Sequence, residues 1–181
     1  MANTGDNLLL AGLTAGDERT FADLYDQYGT RLYRTAYGML GRREDAEDAV
    51  QDVFAALLRS RKGLAGVNDL TAYLFSALRH AAVRCAERRK REPATSNNIE
   101  DIPAITANEQ RERGIADKSE QLEKALRKLP EEQREVVLLK IDGQLTYAQI
   151  AEVLEISINT AASRYRYALE KLREMLQERY R

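Results

Sequence analysis

The sequence predicts an all-α protein of two small helical domains joined by a flexible linker. Three observations carry this. Apolar residues recur at intervals of three and four along most of the chain, and no stretch alternates like a strand. One internal stretch, residues 93–117, loses the periodicity and is rich in Asn, Thr and Pro. The 181 residues therefore divide into an N-terminal domain at 1–92, a linker at 93–117 and a C-terminal domain at 118–181.

The first helix is marked by Phe21, Leu24, Tyr25, Tyr28, Leu32 and Ala36, with Asp17 as its capping residue. Gly29 weakens it midway, and Gly38 and Gly41 signal its end. A second stripe runs Ala46, Ala49, Val50, Val53, Phe54, Leu57 and Leu58, and stops before Gly63. Residues 63–69 form a loop by their Gly, Asn and Asp content. A third helix begins near Asp69, carries Leu70, Tyr73, Leu74, Ala77, Leu78 and Ala81, and ends by Pro93. Beyond the linker come Leu122, Ala125, Leu126 and Leu129, then Pro130 at a helix start. Val136, Val137, Leu138 and Ile141 continue that helix to Asp142-Gly143. Thr146 caps a short helix through Ile150, Ala151 and Leu154, and a last helix spans about 158–180.

Composition excludes several function classes. A single Cys85 allows no disulfide within the chain, and with a single His80 it cannot build a Cys/His zinc site. No Gly-rich phosphate loop is present. Neither an enzyme nor a cofactor or metal is expected. No apolar run approaches the ~18 residues of a membrane span, and the N-terminus lacks a signal-peptide pattern. A cytoplasmic protein without membrane insertion is the expectation. The net charge is −1, yet Arg84, Arg88, Arg89, Lys90 and Arg91 form a dense basic block opposed locally only by Glu87.

Residues 145–168 carry the most specific pattern. A helix-turn-helix needs a small residue where its helices touch, here Ala151. It needs apolar residues about the turn, here Ile150, Leu154 and Ile156, and a cap for the second helix, here Ser157 or Asn159. The second helix then presents its N-terminal side chains to base edges in the major groove. Asn159, Thr160, Ser163 and Arg164 occupy that end; Arg166, Lys171 and Arg173 lie where phosphates pass. Glu155 stands where such turns often have Gly, so a left-handed conformation there implies strain of roughly 1 kcal/mol.

Leu129-Pro130-Glu-Glu-Gln-Arg134-Glu-Val-Val-Leu-Leu, followed by that helix-turn-helix, resembles the C-terminal domain of bacterial sigma factors. Gly16-Asp17 with Phe21, Leu24 and Tyr25, then Asp45-Ala-Glu-Asp48-Ala-Val-Gln51-Asp52-Val-Phe54, resembles their N-terminal domain. Both halves in order, with a short tether, are similar to the extracytoplasmic-function (ECF) group of the sigma-seventy family. The resemblance implies an initiation subunit that binds core RNA polymerase, directs it to a promoter subset and helps open the duplex.

It also implies roles residue by residue. Asp45, Asp48, Gln51 and Asp52 share one polar face of the second helix and would dock on the clamp region of the largest polymerase subunits, leaving an acidic face open for a basic partner. Asn68 and Asp69 fall in the loop that captures a minus-10 base, an event that pays a few kcal/mol of unstacking. Arg79, His80, Arg84, Arg88, Arg89 and Arg91 lie on the helix that reads and melts the minus-10 element. His80 replaces the family's Asn, Arg84 its Asp and Tyr73 its Trp. Asn159, Thr160, Ser163, Arg164, Arg166 and Lys171 would read the minus-35 element. Promoter DNA, core polymerase and an anti-sigma factor are the implied partners. The alternatives are a stand-alone helix-turn-helix regulator and a sigma-like adaptor without promoter melting.

Overall fold

The computed structural model describes residues 4–60, 64, 66–91 and 121–177. The linker expected at 93–117 and the last residues of the expected 158–180 helix beyond 177 lie outside the described residues. Among the described residues eight helices follow in order. They are α1 (Thr4–Ala15), α2 (Glu18–Leu40), α3 (Arg43–Arg59), α4 (Leu70–Arg91), α5 (residues 121–128), α6 (Glu131–Ile141), α7 (Tyr147–Leu154) and α8 (Ile158–Gln177). No strand occurs among the described residues. Helix α1 precedes the first helix that the periodicity marked.

Local sequence sets the ends of α2. Asp17 Oδ1 accepts from the Arg19 amide at 3.1 Å and Oδ2 from the Thr20 hydroxyl at 2.7 Å. The Thr20 hydroxyl and the Arg19 amide hold the Asp17 carboxyl below its ordinary pKa. At the other end Gly41 takes the left-handed conformation, φ 72°, and its amide returns to the Tyr37 carbonyl. Gly29 does not interrupt α2. A mid-helix Gly costs about 0.5–1 kcal/mol against Ala, while complete burial of Leu24 and Leu32 on the same helix contributes roughly 1.5–3 kcal/mol each.

Helices α2, α3 and α4 pack together around Leu24, Leu32, Val53, Leu57, Leu74, Phe75 and Leu78. Helix α1 lies against α2 and α4 and is fastened by a buried polar chain. The Tyr28 hydroxyl donates to Asp6 Oδ1 at 2.8 Å; having given its only proton, it accepts from the Thr71 hydroxyl at 2.9 Å. Asp6, Tyr28 and Thr71 are all buried. Three helices are thus tied through one phenol.

In the C-terminal half, Thr146 caps α7 through a reciprocal box. Its hydroxyl accepts from the Gln149 amide, and Gln149 Oε1 accepts from the Thr146 amide at 2.9 Å. Glu155 ends α7 in the left-handed region, φ 55°, and Ser157 caps α8 by accepting from the Thr160 amide at 3.0 Å. Of the two capping candidates, Ser157 therefore does the work and Asn159 stays exposed.

The two halves do not keep separate interiors. Four consecutive residues of α6, Val136 to Leu139, are buried, so its apolar surface runs around the helix rather than along one stripe. Val137 joins Ala125, Leu129, Ala168 and Leu172 in a core local to the C-terminal half. Val136 and Leu139, with Leu145, Ile150 and Val153, belong to the apolar cluster that continues into α2 and α4. Leu138 presses on Gly38 of α2, where a Cβ would collide with its side chain.

Burial raises the Tyr28 pKa to about 12. A folded-state value above the unfolded value means stability present below pH 10 and lost progressively from pH 10 toward 12. Tyr28→Phe leaves the Asp6 carboxylate buried without that donor, so it should lower unfolding free energy by about 1–3 kcal/mol in a urea titration at pH 7. The same substitution should abolish Tyr28's share of the alkaline loss; an unchanged midpoint would show that the chain of hydroxyls is incidental.

Candidate nucleic-acid interface

The sequence places two sets of charged residues on neighbouring antiparallel helices, and the fold pairs them. Along the α3–α4 contact, Asp45 faces Arg89 at 3.9 Å, Asp48 faces Arg88 at 3.4 Å and Asp52 faces Arg84 at 3.5 Å. The acidic face of α3 thus has internal partners, while Asp48 and Asp52 stay more than half exposed. A carboxylate row on one helix and a guanidinium row on the next satisfy each other when the apolar stripes beneath them pack. Five of these six side chains are at least half exposed; Asp45 is the exception. Such pairs hold only ~0–1 kcal/mol each and are readily exchanged for another partner. Gln51 is exposed beside them.

Next to this row a groove of about 730 Å³ runs between α2 and α3. Phe21, Tyr25, Tyr33, Val50, Phe54 and Leu58 supply apolar lining, with Tyr25 and Leu58 substantially exposed. Tyr25 and Phe21 both rest on the Phe54 ring. Apolar and acidic surface thus adjoin on one side of the N-terminal half.

The residues expected at the minus-10 element lie along the start and outer face of α4. Asn68 is exposed; Asp69 Oδ1 accepts from the Ala72 amide at 2.8 Å and so caps α4. Its carboxylate also takes bonds from the Gln149 side chain of α7. Arg79 is half-buried against Glu135 of α6 at 3.5 Å. His80 and Arg91 are exposed. Burial pushes the Glu135 carboxyl up, and Arg79 opposes that shift.

The residues expected at the minus-35 element sit on the first turns of α8. Asn159 and Arg166 are exposed, and Thr160 and Ser163 are half-buried; the Ser163 hydroxyl donates to the Thr160 carbonyl at 3.0 Å. Arg164 reaches back to Glu132 of α6 at 2.5 Å. Arg166 lies over the Tyr167 ring, 5.0 Å from its centroid. Lys171 is half-buried two turns on. The sequence reading missed Gln149, Glu135 and Glu132 as partners of these residues. The Thr146-x-x-Gln149 spacing announces the cap, but not the contact across the fold. Among the described residues no group of His, Cys, Asp and Glu is arranged to hold a metal, and no helix is long and apolar enough to cross a membrane.

A helical domain with a groove-flanked acidic helix, joined to a helix-turn-helix domain, defines the bipartite class of sigma factors. Residues 24–92 match the family described as Sigma-70 region 2, and residues 119–172 match Sigma-70, region 4. The ECF RNA polymerase sigma factor SigM of Mycobacterium tuberculosis is 32% identical over 174 residues, covering 94% of this chain and 84% of the relative. The ECF RNA polymerase sigma factor SigW of Bacillus subtilis is 24% identical over 175 residues, covering 90% of this chain and 92% of the relative. Two solved structures share the fold. CnrH, in complex with the cytosolic domain of CnrY, aligns with a TM-score of 0.71 at 22% identity, over 96% of this chain and 98% of that one. RpoE, in complex with the anti-sigma factor NepR from Bartonella quintana, aligns with a TM-score of 0.64 at 23% identity, over 86% and 97%. This chain belongs to the ECF sigma factors of the sigma-70 family, and its function is that of a promoter-directing RNA polymerase sigma factor. Sigma factors as a class are not enzymes.

The α3–α4 pairs should behave as exchangeable charge. A double-mutant cycle between Asp48→Asn and Arg88→Gln is expected to give a coupling below about 1 kcal/mol that shrinks with added salt. A salt-independent coupling well above that would mean the pair is fixed structure.

Proposed function

We propose that the N-terminal region, residues 1–92, docks on core polymerase and handles the minus-10 element. Residues 118–181 read the minus-35 element, with residues 93–117 as the tether between them. The observation that carries this reading is the helix-turn-helix itself: a capped α7, a left-handed turn at Glu155 and an α8 whose first turns carry an exposed Asn159 and half-buried Thr160, Ser163 and Arg164. Arg164 can exchange the Glu132 carboxylate for the O6 and N7 acceptors of a guanine, a bidentate contact that discriminates by about 1–3 kcal/mol. Arg166 and Lys171 are assigned to phosphates.

On the N-terminal side, Asp45, Asp48, Gln51 and Asp52 offer a basic polymerase surface their charge, and the Tyr25–Leu58 groove offers apolar area beside it. Asn68 and Asp69 receive the extruded base. His80, Arg84, Arg88, Arg89 and Arg91 follow the strand from the outer face of α4, and Arg79 joins them from its half-buried place beside Glu135. The protein does no covalent chemistry, acts in the cytoplasm and requires no cofactor; nucleotide addition belongs to the polymerase. An anti-sigma factor would restrain it; one solved structure that shares this fold is a sigma factor in complex with an anti-sigma factor.

Run-off transcription with purified core on a genomic fragment library tests the reading directly. Arg164→Ala should relax minus-35 base preference at one position by roughly 10–100-fold while core affinity holds; an unchanged preference in a promoter library removes Arg164 from base reading. Asp48→Arg should weaken association with core in a titration, and unaltered affinity would take Asp48 off the docking surface.

A further inference from the structure

The recognition helix α8 exposes more than polar readers. Around its axis, at 3.6 residues per turn, Ala161, Ala168 and Leu172 fall on one side and are buried. Asn159, Ser163 and Arg166 fall on the opposite side, with Thr160 and Arg164 along one edge of it. The other edge carries Ile158 and Ala162, one turn apart, and neither side chain can make a polar contact with a base. Ile158 is 54% exposed and belongs to neither apolar cluster. Ala162 is half-buried.

Local structure does not account for Ile158. It is the first residue of α8, directly after the Ser157 cap. The apolar residue that packs at this helix entry is Ile156, which precedes the cap and lies against the core. A β-branched side chain gains no helix propensity in the first turn. Single exposed apolar side chains are ordinary on any protein surface. Ile158 differs in its place: it stands beside Asn159 at the end of α8 that a helix-turn-helix turns toward base edges.

In the major groove a base pair offers one apolar group, the C5 methyl of thymine. Cβ atoms one helical turn apart stand about 5–6 Å from each other, so a methyl carbon can lie within ~4 Å of both, the distance of apolar contact. Three residues beyond Ala162 the same edge reaches Tyr165. Its ring packs against the core and meets Tyr147 edge-on, 5.9 Å between centroids, so the apolar edge ends on a ring that is held in place. A cytosine in the same position would leave a gap where the methyl belongs. An exocyclic amine turned onto Ile158 would lose water without gaining an acceptor.

We infer that Ile158, together with Ala162, selects thymine at one position of the minus-35 element by enclosing its C5 methyl. The inference rests on the minus-35 role given to α8 under Proposed function. It adds an apolar reader to the polar ones named there and gives one base of the element its chemical identity.

The test uses the full chain assembled with core polymerase. A duplex library randomised across the minus-35 element is selected for binding and sequenced. The preferred sequence is then synthesised with deoxyuridine in place of each thymine of either strand in turn, which removes one methyl and leaves base pairing intact. Competition against the unmodified duplex should show a loss of about fourfold at one thymine, the size expected when one methyl leaves an apolar contact. Holoenzyme carrying Ile158→Ala should bind the thymine duplex more weakly and lose its response to deoxyuridine at that position. Ile158→Val, which keeps a branched side chain, should retain part of the response. Both variants alter an exposed residue at a helix start, and circular dichroism checks that helix content is unchanged. A preferred sequence without thymine, or a parent holoenzyme indifferent to every methyl, refutes the inference. So does an Ile158→Ala holoenzyme that keeps the parent's full response at the same position. If polymerase bearing this chain selects no sequence at the minus-35 element, the minus-35 reading falls and the inference with it. Selection without a methyl response removes the inference and leaves that reading standing.

Discussion

A helical turn that is apolar all the way around has to be covered on every side, and the middle of α6 is such a turn. Val136 to Leu139 are buried in succession, so this part of α6 cannot lie at the edge of a small bundle with one face in water. One side is met by α5 and α8 through Val137, Ala168 and Leu172, and the other by the N-terminal half through Val136 and Leu139. That requirement fixes Gly38 as the point of closest approach, brings Glu135 onto Arg79 and sets α7 where Gln149 meets Asp69. Fully burying side chains of this size contributes roughly 1.5–3 kcal/mol each. The polar ties across the same contact, at about 0.5–1.5 kcal/mol for a neutral bond, choose the register more than they supply the stability.

The α3–α4 row illustrates the opposite limit, where charge is held loosely. Coulomb attraction at 3.4–3.9 Å between mostly exposed groups is largely offset by solvation and side-chain entropy. Loose pairing suits groups that have outside partners. A basic polymerase surface that takes over Asp48 leaves Arg88 uncompensated, and an uncompensated arginine binds phosphate better. Docking and strand contact, if the proposed roles hold, therefore favour each other through shared charges with no change of fold. Asp45 is the least exposed of the three carboxylates, so Asp48 and Asp52 have the greater freedom to change partner.

Much of this was legible in the sequence where the signal is local. Asp17, Gly41, Pro130, Thr146 and Ser157 mark helix ends because capping depends on residues within one turn. The left-handed turn at Glu155 could be read from the helix-turn-helix spacing, although its side chain argues against that conformation. What escaped is what periodicity cannot encode. The stripe on α3 places Asp45, Asp48 and Asp52 on the polar side, but it carries no information about which helix lies opposite. Gly38 reads as a helix stop, and only the proximity of Leu138 reveals it as a gap left for another element. The four consecutive apolar residues of α6 were visible, yet a run that short does not announce two separate neighbours. Residues before Asp17 lack a strong cap; α1 is held by Leu9, Leu10 and Leu13 in the shared core and by the distant Tyr28 hydroxyl acting on Asp6.

The internal carboxylates also bear on how a chain of net charge −1 can be a DNA-reading protein at all. Arg79, Arg84, Arg88, Arg89 and Arg164, all assigned to DNA, each have an acidic partner within the fold. Every arginine that neutralises a phosphate contributes about 0.9 to the slope of log affinity against log salt on duplex DNA, with no regard to sequence. Five uncompensated arginines would give the isolated chain strong, indiscriminate attachment to any duplex. Internal pairing lowers that driving force by no more than the ~0–1 kcal/mol that each exposed pair holds, while a correct base contact adds about 1–3 kcal/mol for a good bidentate pair. Only a scaffold that holds both readers near DNA makes their separate small gains count together. The same carboxylates that blunt the arginines in the isolated chain are those that a basic scaffold would engage.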